Sequence, residues 1–404
     1  MSFDLFAYRK LQDTAADCED RCDQIEREMR DPKAAERFAL KQSQAFVDQM
    51  EGFALELEDE LMNFSDVSYK SFVKSESEII TLFYDKFADI PLLSRMDAVA
   101  ETFIDEIETL LNRDLPEEER IPLIEKFQKM YETMDFYVLY NRFLKKEGYQ
   151  TLPRRPLEKR KLRYEDVYPV LYLKYRLSRQ AERSNIKHLV IDEMQDYSRL
   201  QYLIIRRMFS CKMTILGDRA QTMADQQQDV LQFLPGIFGK DLRRIEMRKS
   251  YRNTVEIASY AANLIGVTDL ELFERHGMPV LERDVTDLEA ALREAVDTLF
   301  PDEKTYETAA VIVPDEKTAE RAYLILREIL VEKDFDCEKR LSWLNRDSSS
   351  FKKGLTVTTF YLAKGLEFDQ VFSIFPKDEK REIMMQAQYI AATRALHELR
   401  VYHI

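Results

Sequence analysis

Residues 187–201, KHLVIDEMQDYSRLQ, decide the reading of the fold. Four apolar or aromatic-compatible residues, His188 to Ile191, lead straight into Asp192, Glu193 and Asp196. Four to six such residues suit a buried strand better than a helix. Three carboxylates at the end of a buried strand call for a cationic partner, because clustered charge taken from water is costly unless it is matched.

Similar runs recur downstream. HLVID, MTILGD, AAVIVP, LTVTTF and QVFSIF all read as buried strands. Helical segments lie between them, as in DVYPVLYLKYRLSRQAER and DLEAALREAVDTLF. Strand–helix alternation of this kind predicts α/β architecture with parallel, doubly wound sheets. In such sheets the ligand site is expected at the carboxyl ends of the strands.

Upstream the texture differs. Residues 10–150 read as helix throughout. Phe46, Met50, Phe53, Leu57, Leu61 and Phe64 form one helical stripe, and Val99, Phe103, Ile107 and Leu110 form another. Prolines 32, 91, 116 and 122 are expected at helix starts or breaks. The segment LPRRPLEKRKLR then reads as a basic boundary, suited either to a solvated loop or to a phosphate contact.

Charge divides the chain in the same place. The net charge is −14, yet residues 1–150 hold 34 acidic and 19 basic residues, and the remainder 40 and 41. The acidic third is a poor ligand for a phosphate backbone. It suits either a basic protein surface or a plain solvated exterior. Cys18, Cys22, Cys211 and Cys337 read as reduced and structural, since no histidine lies near the first pair to complete a zinc site. No run approaches the ~20 apolar residues that span a bilayer. The first residues, MSFDLFAYRK, lack the features of a signal peptide. The expectation is a soluble, cytoplasmic protein with no membrane contact.

Four strand-end motifs carry chemistry. VIDEMQD places Asp192 for a hydrated Mg²⁺ and Glu193 to orient water; an Asp-Glu pair alone also caps helices. TILGDRAQ ends in Gly217, Asp218 and Gln221, an amide able to sense a terminal phosphate. KSYRNT and QYIAATRA bring Arg252 and Arg394, suited to charge developing on a phosphoryl group, or singly to surface ion pairs.

In this order VIDEMQD, LGDRAQ, SYRNT, TTFYLAKGLEFD and QYIAATRALHEL resemble motifs II to VI of UvrD/Rep-like superfamily 1 DNA helicases, over about residues 160–404. Within that family the chain is most similar to the HelD group, which associates with RNA polymerase. YEDVYPVLYLKYRL, YLAKGLEFD and the short spacing from Arg252 to Lys364 carry that finer likeness. The resemblance implies RecA-like P-loop NTPase motor domains with an all-α N-terminal insertion. Residues 1–150 would be the insertion, 151–242 the rest of the first motor domain, and 243–404 the second. It implies ATP and Mg²⁺, with Asp192 at the metal and Glu193 as general base. Gln221, Arg252 and Arg394 would meet the γ-phosphate, and Gly365 and Glu367 the nucleotide. DNA, as a single strand or a duplex junction, is the implied partner, with RNA polymerase as a further candidate. Removing either arginine should cripple the ATPase while leaving the fold intact.

Two departures stand out. The phosphate-binding loop GxxxxGK[ST] is absent, and with it the N–H cradle and the phosphate lysine. The expectation is therefore the downstream part of a longer ATPase. A non-catalytic protein that uses the motor scaffold and acidic helices to engage a basic partner is the alternative. In addition, the continuation TMADQQQDV offers no aromatic before Phe233 for base stacking. Tyr361 stands where many relatives have a DNA-facing histidine, and could stack on a base or simply pack.

Overall fold

A computed structural model describes residues 3–179, 185–218, 221, 230–247, 249–267, 271–299, 306–333, 336–348, 353–377, 379 and 381–404. The parts of the expected helices and of the motif continuation that fall on 180–184, 222–229 and 300 lie outside the described residues.

The first stripe forms over its first four residues; the helix stops at Glu60, so Leu61 caps it and Phe64 lies beyond it. Phe46, Met50, Phe53 and Leu57 line the buried face of helix Gln44–Glu60, started by a Ser43 cap on the Phe46 N–H. Val99, Phe103 and Ile107 do the same for helix Arg95–Leu111. Leu110 departs from this pattern and is 71% exposed. It lies one residue from the helix end, where Asn112 turns left-handed and the stripe has run out of neighbours to cover it.

The region is not helical throughout. Val67–Tyr69 and Phe72–Lys74 form an antiparallel hairpin. VSYKSFVK alternates in the period of a strand, and Lys70 takes the positive φ the turn requires. Pro122 is a second difference: it sits inside helix Glu117–Gln128, where its missing N–H costs a single bond soon after the first turn. The basic boundary is folded onto the helices. Arg160 makes a two-bonded ion pair with Asp135, and Lys161–Leu162 pairs with Asp17–Cys18. Arg154, Arg155 and Lys159 stay exposed.

Helix Tyr164–Leu177 is the axis of this part and is buried along most of its length. Lys41 reaches it from helix Pro32–Gln42 and bonds Glu165 at 3.2 Å and Asp166 at 2.6 Å, while the Tyr140 hydroxyl donates to Asp166 at 2.7 Å. One apolar core extends from Phe6 to Phe238 and takes in the flanks of a two-stranded parallel sheet. Its strands are β1, His188–Ile191, and β2, Lys212–Ile215. They are strands as expected but not buried ones: of their residues only Ile191 is buried, and Val190 is 60% exposed, because a sheet of two strands leaves one side uncovered.

The second sheet has six strands: β3 Leu281–Asp284, β4 Thr308–Val313, β5 Leu341–Trp343, β6 Gly354–Thr359, β7 Phe368–Phe375 and β8 Ala395–His403. Every pairing is parallel, in the order β5-β6-β4-β7-β8-β3. Alternate β4 residues serve opposite faces. Ala310 and Ile312 join helices Val255–Leu264 and Glu382–Thr393; Ala309, Val311 and Val313 join helices Leu288–Asp297 and Glu316–Glu332. Both faces covered is the state a parallel sheet needs, which is why its strands read as continuous apolar runs. The α/β expectation is met.

Helix Arg21–Arg30 joins the two parts. Arg21 lies over the rings of Phe38 and Tyr164 on one side, while Ile25 and Met29 enter the core of the six-stranded sheet on the other. Arg346, just past β5, pairs with Asp23 at 2.6 Å.

Candidate active site

β1 and β2 end side by side, and their ends are tied together. The Leu216 N–H donates to Ile191, and the Met194 N–H donates to Leu216, both at 2.8 Å. Glu193 is forced into the left-handed region at φ 53°, an uncommon and strained conformation for a residue other than glycine. Its N–H is held by Asp192 Oδ1 at 2.9 Å. Gln195, which the motif reading did not single out, supports both strand ends. Its Nε2 donates to Glu193 Oε2 at 2.6 Å, and its Oε1 accepts from the Asp218 N–H at 3.1 Å. Gly217 lies so close beneath this turn that a Cβ there would sit 2.4 Å from Gln195 Oε1 and 2.6 Å from the Met194 nitrogen. Only glycine fits.

Gln221 is buried and reaches in two directions. Its Nε2 donates to Asp218 Oδ2 at 3.0 Å, and its Oε1 accepts from Arg394 Nη2 at 2.9 Å. Arg394 caps helix Glu382–Thr393 and is 1% exposed. Its other donors meet the carbonyls of Ile390 and Leu366 and the Thr393 hydroxyl. Burial, and after it the charge of Arg252, pulls the Arg394 guanidinium below its ordinary pKa. Tyr389 on the same helix donates to Asp218 Oδ2 at 3.3 Å.

Arg252 is half-exposed and pairs through Nε with Glu367 Oε1 at 2.7 Å. The neighbouring Asn253, also missed by the sequence reading, is buried and donates from Nδ2 to the carbonyls of Thr393 and Ala395. It therefore pins the Arg252 segment to the Arg394 segment. Gly365 turns at φ 84° with open space beside it.

Asp192 and Asp218 follow the carboxyl ends of β1 and β2, where the sequence reading expects a ligand. The side chains expected to face them are placed differently. Glu367 and Arg394 immediately precede β7 and β8, so the second sheet presents the amino ends of its strands. Segments returning to start a strand, rather than those leaving one, carry these side chains.

The cation that meets the third carboxylate of the opening motif is Lys364. Its Nζ bonds both oxygens of Asp196, at 2.7 and 2.8 Å, and the Gln221 carbonyl at 2.8 Å. Glu193 Oε2 is 3.4 Å away. Tyr361 lies apart from this group: it is buried and donates its hydroxyl to Glu26 Oε1 at 2.7 Å, so its ring is packed rather than offered for stacking. Phe233 is likewise buried, against Tyr202 and Arg199. Among the described residues no three His, Cys, Asp or Glu side chains gather to hold a metal, and Cys18, Cys22, Cys211 and Cys337 form no disulfide.

Residues 2–223 match the model of the UvrD/REP helicase N-terminal domain. The chain belongs to the UvrD/Rep helicase family. No curated protein matches it. Among solved structures, the UvrD/Rep chain is similar to the C-terminal domain of a possible DNA helicase from Lactobacillus plantarum WCFS1. The identity is 23% over 38% of this chain and 88% of that one, with a TM-score of 0.31. It is also similar to an arterivirus helicase, nonstructural protein 10, at 15% identity over 66% of this chain, with a TM-score of 0.30. A complex of that viral protein with DNA matches at 14% identity over 66% of this chain, with a TM-score of 0.30. The chain spans about half the length of these viral helicases. Within the UvrD/Rep family, parallel α/β units of this kind are RecA-like. Among the described residues no helix is long and apolar enough to cross a membrane.

Proposed function

We propose that the cleft between the strand ends of β1–β2 and the segments preceding β7 and β8 is a Mg²⁺–ATP site of a DNA helicase or translocase. One observation carries this reading. Gln221 and Arg394, the two groups suited to sensing a terminal phosphate, come from opposite sides of the cleft and bond each other at 2.9 Å. A phosphate oxygen could replace Gln221 Oε1 as the acceptor of Arg394 Nη2, exchanging a neutral partner for a charged one.

Asp192 is exposed at the end of β1. A lone carboxylate there fits Mg²⁺, which takes one or two protein carboxylates and completes its shell with water and phosphate oxygens. When bound, that ion would neutralise charge on the phosphates. Glu193, held by Gln195, would accept the proton of the attacking water. Arg394 and Arg252 would balance charge on the transferred group, and Glu367 with Gly365 would border the nucleotide. In this reading residues 1–150 are a helical insertion, 151–242 complete the first motor unit and 243–404 form the second.

The chain holds no GxxxxGK[ST], so the principal clamp on the β- and γ-phosphates is missing from it. We expect Mg²⁺-dependent binding of a fluorescent ATP analogue, with negligible hydrolysis. Absence of binding up to about 1 mM, the upper end of ordinary substrate affinities, would remove the nucleotide reading. Turnover abolished by Glu193→Gln would show instead that the missing loop is dispensable.

The finer reading is a HelD-type cytoplasmic protein that remodels a transcription complex, with single-stranded or junction DNA and RNA polymerase as partners. Its support is the acidity of residues 1–150, 34 acidic against 19 basic, which suits a basic protein surface. Capture of purified RNA polymerase by the full chain at low salt, lost at high salt, is the expected result.

A further inference from the structure

Lys364 lies between the two α/β units, and nothing in the motif logic gives it a task. Its side chain is 6% exposed. An ammonium has three N–H donors, and here both Asp196 oxygens and the Gln221 carbonyl accept them. All three acceptors belong to the first unit, whereas Lys364 belongs to the loop that joins β6 to β7 in the second. A buried ion pair of this kind is weak evidence of net stabilisation, since desolvation offsets the attraction. What it supplies is a fixed geometry.

That geometry reaches the cleft at two points. Lys364 holds the main chain of Gln221, whose side chain spans Asp218 and Arg394. One residue further, Gly365 turns at φ 84° and delivers Glu367 to Arg252. The far end of the same segment is anchored separately, by the Tyr361 hydroxyl on Glu26.

We propose that Lys364 is a positioning residue. With Asp196 it forms a latch that holds the two α/β units together at the cleft and keeps Gln221 in register with Arg394. The proposal rests on reading the cleft as the nucleotide site only for its consequence: the latch would set how far the cleft opens to admit Mg²⁺–ATP.

Hydrogen–deuterium exchange on the full chain, first without nucleotide, tests it. Lys364→Met should speed exchange in 364–368 and in the remote segment 389–394 by about tenfold, the middle of the range of coupling within one charge network. The exchanged pair, Lys364→Asp with Asp196→Lys, should recover protection that each single change loses. Tyr361→Phe loosens the same loop from its other end and should leave 389–394 unaltered. Unchanged exchange at 389–394 in Lys364→Met, or a double variant no better than either single one, overturns the latch. If Lys364→Met unfolds the whole chain, the near-isosteric Asp196→Asn decides, and full protection there overturns the proposal. Addition of Mg²⁺–ATP to the wild type separates the two readings. Without added protection the nucleotide reading fails, while the latch is judged on the nucleotide-free comparison alone.

Discussion

Arg252 and Arg394 look equivalent in the sequence, and the structure gives them unequal burdens. Arg252 is half-exposed with one carboxylate partner, so Arg252→Ala should shift stability by no more than about 0.5 kcal/mol. Arg394 is enclosed, and its loss would leave Gln221 Oε1 and the carbonyls of Leu366 and Ile390 without this donor. Arg394→Ala should then cost about 2–5 kcal/mol. The expectation that either arginine can be removed without touching the fold therefore survives only for Arg252. Thermal unfolding of the two variants checks this, and equal melting temperatures would contradict it. The motif residues themselves were legible because strand-end carboxylates, an amide and arginines follow one another in a recognisable order. Gln195, Asn253 and Lys364 stand inside the quoted motifs, yet their tasks were not legible, because each depends on a partner distant in the chain. Lys364 meets Asp196 across 168 positions of chain, and Asn253 meets Ala395 across 142.

At the scale of elements, the five apolar runs became β1, β2, β4, β6 and β7. β8 escaped notice because ALHELRVYH mixes charge with apolar residues. Its Glu398 and Arg400 pair with each other at 2.6 Å, which lets an interior strand carry ionic side chains. Helix Tyr164–Leu177 was legible as a helix but not as the axis of the helical part. That role depends on Lys41, Glu165, Asp166 and Tyr140 meeting out of water. Lys41→Met would leave two buried carboxylates without their ammonium, and breaking a buried pair from one side typically costs about 3–5 kcal/mol. Chemical denaturation should show this as a lower midpoint with an unaltered slope. A drop below 1 kcal/mol would mean that Tyr140 and nearby Arg37, 3.7 Å from Glu165, already neutralise the cluster.

For the whole molecule, charge and packing divide the chain differently. The acidity ends near residue 150, but the first apolar core continues through Leu171, Ile204 and Phe233. A fragment ending at 150 would lack helix Tyr164–Leu177, on which helices Gln44–Glu60 and Phe136–Lys146 pack. We expect residues 1–150 alone to lose the cooperative unfolding transition and to bind the dye ANS. A fragment with a sharp transition would show that charge marks an independent folding unit. Partner binding by the acidic helices is therefore a property to measure on the full chain.

The position of β8 has a consequence for biosynthesis. β8 is an interior strand, inserted between β7 and β3, yet it is formed by residues 395–403. Until those residues have left the ribosome, β3 has no neighbour in the sheet and β7 keeps one edge open. Parallel pairings between distant segments form slowly and expose unpaired edges while they wait. The residues of the first core end near 238, so that part can pack earlier in synthesis, whereas the six-stranded sheet cannot close until residues 395–403 have emerged. Nascent chains stalled near residue 390 should resist protease up to about residue 240 and be cleaved beyond it. Chains long enough to carry residues 395–403 clear of the ribosome should be protected in both parts.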